Sequence, residues 1–291
     1  MAWNIVGGEP IIPIVSSSIP KIAILCPHTS RLSAEFVEQM WTPLKFNVGW
    51  CDKAFLQSRA PSLPLARNML LQKAVEDESI THVLWVDSDM SPHSPSDINT
   101  ALKVLYDLCE QNPIVSGLYR AKQAHGFNWA MWKYMQGPMC DKCGKGFIGA
   151  SVGVECPDGC GGTLFDKKGF IHINDWTGNW FEVDVTGLGF CMMKIEVLRD
   201  IYKFYMDSKV AMETLKKTLD YDVVKYSDYF TVETPFHWDS EGEMSEDFHM
   251  LMLAKRLGYK TFVYSDVLLS HIGELVVEPT KDGATFRTMK V

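Results

Sequence analysis

The chain has 291 residues, 46% of them hydrophobic and 22% charged, with a formal net charge of -8. That length buries a substantial core in one large α/β domain or two small ones, and the acidic balance excludes a bulk positive field that would draw the protein to nucleic acid or anionic membrane. No apolar run approaches the roughly 18 residues of a membrane helix, and Met1–Pro20 lacks the basic start of a signal peptide, so the expected setting is cytoplasmic with no membrane span.

Lys21–Pro27 is the first expected buried strand, followed by a helix over Ser33–Met40 and a second strand near Phe46–Trp50. Pro64–Val75 has helical apolar spacing through Leu65, Met69, Leu70 and Ala74, and leads into an apolar strand, His82–Val86. Asp97–Gln111 is an amphipathic helix with Ile98, Leu102, Leu105 and Leu108 on one face, and Ile114–Tyr119 is the next strand. Strands alternating with helices imply a Rossmann-like α/β fold with a mostly parallel sheet, in which ligands bind beyond the carboxyl ends of the strands. After Ala121 the aromatic-rich stretches Phe127–Trp132 and Phe170–Ile173 imply a small antiparallel insertion. Glu182–Met193 returns to strand character, and its glycines, Gly187 and Gly189, imply close approach by a ligand or another backbone. Met193–Tyr205 reads as a helix and Asp207–Tyr229 as a surface excursion. Ser245–Leu257 reads as a helix capped by Ser245 and ended by Gly258 in the left-handed region, before the last strand, Tyr259–Tyr264.

The eight cysteines fall into two groups. Cys26, Cys51, Cys109 and Cys191 stand singly in apolar surroundings and read as reduced core residues. Cys140-Asp-Lys-Cys143-Gly and Cys156-Pro-Asp-Gly-Cys160-Gly-Gly form two close pairs, each followed by the glycine of a knuckle turn. This is the spacing of a four-thiolate zinc site, with two disulfides as the competing reading. Four thiolates close the tetrahedron, so the zinc would be structural and would fold a loop of roughly 25 residues.

The apolar run ending at Val86 gives way to Asp87-Ser88-Asp89, which aims two carboxylates out of a strand end. If extension continues they share a side; if a turn begins they fan around one point. Hard oxygen ligands select magnesium or manganese, ions that bind through one or two carboxylates plus substrate phosphates. The competing reading is that both acids cap the next helix.

The order of these elements resembles the nucleotide-sugar glycosyltransferases of the A-type fold, in particular those like glycosyltransferase family 2. The resemblance spans most of Lys21–Gly273 and is carried by Ala66-Arg67-Asn68, Asp87-Ser88-Asp89, Thr186-Gly187-Leu188-Gly189-Phe190, Glu246-Asp247, Gly258-Tyr259-Lys260 and His271. It implies residues 1–20 as an N-terminal extension and 21–291 as the catalytic domain, containing a four-cysteine insertion over 138–164. It implies Asp89 and His271 as ligands of Mn2+ or Mg2+, with Asp87 contacting the ribose or, through water, the metal. Histidine ligation fits manganese better. Pro27, His28, Thr29, Arg67, Asp87 and Ser88 would meet the donor, a nucleoside diphosphate sugar such as a UDP-sugar. Asp247 would be the general base of an inverting transfer with Glu246 in support, and Gly187, Leu188 and Gly189 would line the acceptor site. Trp238 beside a polar loop is a candidate sugar platform, with Trp176, Trp180, Phe236 and His237 as further aromatic candidates. Lys281, Arg287 and Lys290 would lie in a tail near the diphosphate. The zinc loop departs from the family pattern, and Lys142, Lys145, Lys167 and Lys168 make it locally basic, which leaves glycan, protein and nucleic acid open as acceptors. A nucleotidyltransferase is a second reading, although Cys26-Pro27-His28-Thr29-Ser30-Arg31 is not a glycine-rich phosphate loop. A noncatalytic binding module using the zinc loop for nucleic acid or protein is a third.

Overall fold

A computed structural model describes residues 19–92, 98–120, 129–143, 147, 150–173, 176–218, 236, 245–272, 275–280 and 283–288. The first strands are β1 (Lys21–His28), β2 (Asp52–Arg59), β3 (His82–Val86), β4 (Met90–Pro92) and β5 (Ile114–Leu118). They are followed by β6 (Met131–Cys140), β7 (Leu164–His172), β8 (Trp180–Val183), β9 (Val185–Thr186), β10 (Phe190–Lys194), β11 (Thr261–His271), β12 (Leu275–Thr280) and β13 (Gly283–Thr288). The helices are α1 (Ala34–Phe36), α2 (Thr42–Lys45), α3 (Leu63–Glu76), α4 (Ile98–Cys109), α5 (Ile195–Thr218) and α6 (Glu246–Arg256), with a π-helical stretch, Val37–Trp41, joining α1 to α2.

An eight-stranded mixed sheet runs β2-β1-β3-β10-β5-β11-β4, with β8 also pairing with β11. β1 is parallel to β2 and β3, and β5 is parallel to β11. β10 is wedged antiparallel between β3 and β5, which therefore still point the same way. The sheet is mostly parallel by strand direction, with β4, β8 and β10 opposed.

Strand period two divides the core into two layers. Ile22, Ile24, Leu84 and Val86 face Phe36, Met40, Leu44, Leu102 and Leu105, whereas Ala23, Leu25, Val83 and Trp85 face Leu70, Leu71, Leu198, Ile201 and Leu251. Helices thus cover both faces, and β3 and β5 are buried along their whole length.

Several local expectations shift; the helix expected over Met193–Tyr205 runs as α5 to Thr218, into the stretch read as a surface excursion. The second strand is Asp52–Arg59, not Phe46–Trp50, because an edge strand of mixed polarity gives no clean apolar run. On α3, Leu65 and Met69 are exposed while Ala66, Arg67, Leu70, Leu71 and Ala74 face inward. Taking Arg67 into the core turns the helix away from its apparent apolar stripe. Ser245 stands at the cap position of α6 but its side chain makes no capping hydrogen bond, while Gly258 ends the helix at φ +95° as expected.

The insertion is a three-stranded antiparallel sheet, β7-β6-β9, in which β6 and β7 pair from Trp132↔His172 to Cys140↔Leu164. β12 and β13 form a hairpin after His271. Among the described residues no helix is long and apolar enough to cross a membrane.

Candidate functional site

At the end of β3 the chain turns. Met90 N–H donates to the Asp87 carbonyl (3.1 Å), and Asp87 N–H donates to the Gly189 carbonyl on the approach to β10 (3.0 Å). Asp87 and Asp89 therefore fan apart. Asp87 Oδ1 accepts from Arg67 Nη2 at 2.9 Å. Burial pushes its carboxyl above the usual range, with the Arg67 charge opposing the shift. Asp89 turns to the other side. Its carbonyl accepts Ile272 N–H at 2.5 Å, and His271 pairs with Met90 across β4 and β11. His271 Nδ1 lies 3.7 Å from Asp89 Oδ1, is buried and, among the described residues, has no hydrogen-bond partner. The side-chain exposures, 39% for Asp89 against 22% for Asp87, place Asp89 on the more open side.

Arg67, 1% exposed, is the hub of the site. Besides Asp87 it pairs through Nε with Glu246 Oε1 at 3.4 Å, and its guanidinium lies beside the edge-packed rings of Trp85 (5.5 Å) and Phe236 (5.9 Å). Asn68 clamps the Phe236 backbone from both sides: Nδ2 donates to its carbonyl (2.7 Å) and Oδ1 accepts its N–H (3.1 Å). Burial opposes the Arg67 charge, but Asp87, Asp247 and Glu246 outweigh it and hold the guanidinium firmly protonated. Arg67, expected to reach the diphosphate or base, is thus buried with its fork directed at Asp87 and Glu246. Glu246, 4% exposed, likewise faces inward.

Asp247, the next residue on α6, is half-buried, and its Oδ2 accepts Leu188 N–H at 3.3 Å. Burial pushes its carboxyl up to about 7; Arg67 and the Leu188 N–H oppose this, while Glu246 and Asp87 add to it. The Leu188 side chain is fully buried, so the loop offers only its backbone here. The close approach at Gly187 and Gly189 is made by Tyr119: its hydroxyl accepts Gly189 N–H at 2.8 Å, and a Cβ at Gly187 would collide with the same hydroxyl. Sequence reasoning missed Tyr119, whose position just past β5, at the carboxyl end of the sheet, was the available signal. It also left Asn68 without a role.

The donor set fits a hard cation in a limited way. Among the described residues the only group of three or more potential ligands close enough to share an ion is the cysteine cluster. With Asp87 turned to Arg67, the described residues offer two ligands, Asp89 and His271, whose 3.7 Å separation suits bonds of about 2.1 Å to one ion. His271 Nδ1, unpartnered among the described residues, is a donor atom available to such an ion. Other coordination positions fall to phosphate and water, which is how such ions usually bind.

The other expected donor residues sit at the end of β1. Pro27 is buried, Thr29 is exposed, and His28 Nδ1 donates to the Ser30 carbonyl at 2.7 Å. Ser88 stands in the Asp87–Met90 turn. Trp176 packs edge-on to Trp129, Trp180 stacks on Phe262, and Phe236 is fully buried, so these three are packing residues. Trp238, His237, Lys281 and Lys290 lie outside the described residues, as does Lys145.

At the far end of the β6–β7 hairpin the sulfurs of Cys140, Cys143, Cys156 and Cys160 all lie within 4.8 Å of one another. Every cysteine is free, with Cys140 and Cys160 Sγ 3.4 Å apart and Cys143 and Cys156 Sγ 3.7 Å apart. Lys142 and Cys143 N–H groups donate to Cys140 Sγ and, ahead of burial, these backbone bonds pull its thiol down to about 7. Gly161 takes φ +72°, and a Cβ at Gly162 would stand 2.5 Å from Cys140 Sγ. Four convergent, unbridged thiols in a glycine cradle suit a tetrahedral structural metal.

No family model matches the chain, and no curated protein matches it. Among solved structures the chain is similar to A197 from STIV (14% identity, TM-score 0.49), covering 93% of this chain and 96% of that one. It is also similar to mannose-1-phosphate geranyltransferase from Thermus thermophilus (11% identity, TM-score 0.38), covering 85% of this chain and 73% of the other. A third is a glycosyltransferase involved in glycosylation of the major capsid of PBCV-1 (12% identity, TM-score 0.32), covering 84% and 94% respectively. Likenesses at this level carry no argument about what this chain does.

Proposed function

We propose that the chain is a metal-dependent glycosyltransferase that moves a sugar from a nucleoside diphosphate sugar, in the first instance a UDP-sugar, to a hydroxyl acceptor. The observation that supports this best is the grouping, at the carboxyl end of the sheet, of the Asp89–His271 pair with a raised carboxyl, Asp247, on either side of the Arg67–Asp87 ion pair.

In this reading Asp89 and His271 hold Mn2+ or Mg2+. When bound, the ion supplies positive charge for the departing diphosphate. Asp247 takes the proton from the acceptor hydroxyl as that oxygen attacks the anomeric carbon. Leu188 N–H fixes one of its oxygens, so proton uptake falls to the other. Glu246 and Asp87 serve by holding Arg67. The four cysteines hold zinc, which folds the hairpin tip. Cys140 lies eight residues along β6 from Trp132, about 26 Å in an extended strand, and Trp132 packs on Phe248 beside Asp247. The zinc is therefore remote from the chemistry.

The test is UDP release from a panel of UDP-sugars with Mn2+. Release that needs the metal and disappears in Asp247→Asn, with Mn2+–UDP binding retained, supports the reading. Equal release by Asp247→Asn contradicts it.

A further inference from the structure

Arg67 contradicts what a charged residue on a helix ordinarily does. A guanidinium taken almost wholly out of water is costly unless its hydrogen bonds are met by charge partners. Here it is placed among three carboxylates from two distant parts of the chain: Asp87 at the end of β3, and Glu246 and Asp247 at the start of α6. Its fork spans both parts, with Nη2 on Asp87 at 2.9 Å and Nε on Glu246 at 3.4 Å. A lysine ammonium is a point charge and cannot reproduce two divergent bonds from one rigid plane. The rings of Trp85 and Phe236, packed edge-on with centroids 5.3 Å apart, both border the guanidinium, and Asn68 anchors Phe236 by two bonds to its backbone. Among the described residues Nη1 is buried without a hydrogen-bond partner. The stretch Ala66-Arg67-Asn68 is thus built as a clamp.

We propose that Arg67 is a positioning residue: by tying the start of α6 to the metal-side carboxylate Asp87 it fixes where Asp247 points, and it does not touch the donor. This rests on the transferase reading above. Among the described residues the groups around Asp247 are Arg67 from α3, Glu246 from α6 itself, Asp87 beyond β3, the Leu188 N–H before β10, Tyr119 beyond β5 and Cys191 in β10. Among these Arg67 is the sole cation. Its removal would both free α6 and leave the three carboxylates uncompensated.

The experiment measures Mn2+–UDP binding, by the loss of the free Mn2+ electron paramagnetic resonance signal, and UDP release from UDP-glucose, UDP-galactose and UDP-N-acetylglucosamine with water as acceptor. Arg67→Lys should reduce turnover about 10²-fold, as expected for a reactive group displaced by the order of an ångström. Mn2+–UDP affinity should stay within roughly threefold. Adding Arg67→Lys to Asp247→Asn should lower turnover less than about tenfold below that of Asp247→Asn alone, because residues acting as one unit are non-additive. Glu246→Gln, which keeps the shape and removes one anchor charge, should lower turnover with binding intact and serves if Arg67→Lys fails to fold.

The proposal is overturned if Arg67→Lys weakens Mn2+–UDP binding as much as turnover, if the two losses multiply in full, or if Arg67→Lys and Glu246→Gln leave turnover unchanged. A wild-type chain that releases no UDP from any of these sugars sinks the transferase reading itself. Wild-type release combined with any of the three outcomes above sinks only the role of Arg67.

Discussion

The imidazole of His271 faces the carboxylate of Asp89 across 3.7 Å, although 182 positions separate them in the chain, that is 271 minus 89. The contact is held by the antiparallel pairing of Met90 with His271 and by the Ile272 N–H on the Asp89 carbonyl. Both bonds are backbone bonds, so the pair is built into the fold and survives side-chain changes nearby.

Asp89→Ala and His271→Ala should each reduce Mn2+ affinity by at least about tenfold while leaving the fold intact, since even the hydrogen-bonding partners of metal ligands carry roughly 10–100-fold. Mn2+ titration by paramagnetic resonance checks this. Unchanged affinity in both variants would remove the cation from this position.

The pH dependence follows from Asp247. Its carboxyl is pushed up from 3.8 to about 7, by burial first and by Glu246 and Asp87 next. A group whose folded-state value is raised contributes stability that is complete below its unfolded value and is lost as pH rises through the folded one. Wild-type stability should therefore decline between about pH 4 and pH 7, and Asp247→Asn should flatten that decline in denaturant titrations at several pH values. For activity the sign is opposite: the base works only when ionised, so turnover should fall on the acid side of neutrality.

Gly187→Ala should destabilise the chain by about 1–3 kcal/mol, because the added methyl meets the Tyr119 hydroxyl, which is buried and already engaged with Gly189. Tyr119→Phe in the same chain should restore part of that loss. Chemical denaturation of the single and double variants measures both.

Removal of the metal from the four cysteines should release one zinc per chain, detectable with a chromogenic chelator, and should lower the melting temperature. Cys140→Ser should do the same without a chelator, because ligand loss and unfolding of the hairpin tip are coupled. A zinc-free chain of undiminished stability would contradict the structural role.

The clearest sequence signals were those that depend on burial alone. Val83–Val86 is an unbroken apolar run and Ile114–Leu118 is apolar apart from Ser116, and both lie in fully buried central strands. The cysteine spacing was equally plain, since a knuckle is a local structure. The direction of Phe190–Lys194 was not legible, because an apolar strand reads the same whichever way its neighbours run. Nor was the place of Arg67: its partners lie 20 and 179 positions away, and an isolated arginine reads as a surface cation. The same holds for Leu65 and Met69, whose apolar spacing matched a helix face that the structure leaves exposed.

The most direct test of the transferase reading is the melting temperature of the full chain with UDP, GDP and UDP-sugars, each with and without Mn2+. Binding to the native state alone raises the midpoint by mass action, about 2.7 kcal/mol at a hundredfold excess over the dissociation constant. The account predicts a shift that requires a nucleotide and Mn2+ together and that is lost in Asp89→Ala. No shift with any nucleotide and metal, or an undiminished shift in Asp89→Ala, would contradict it.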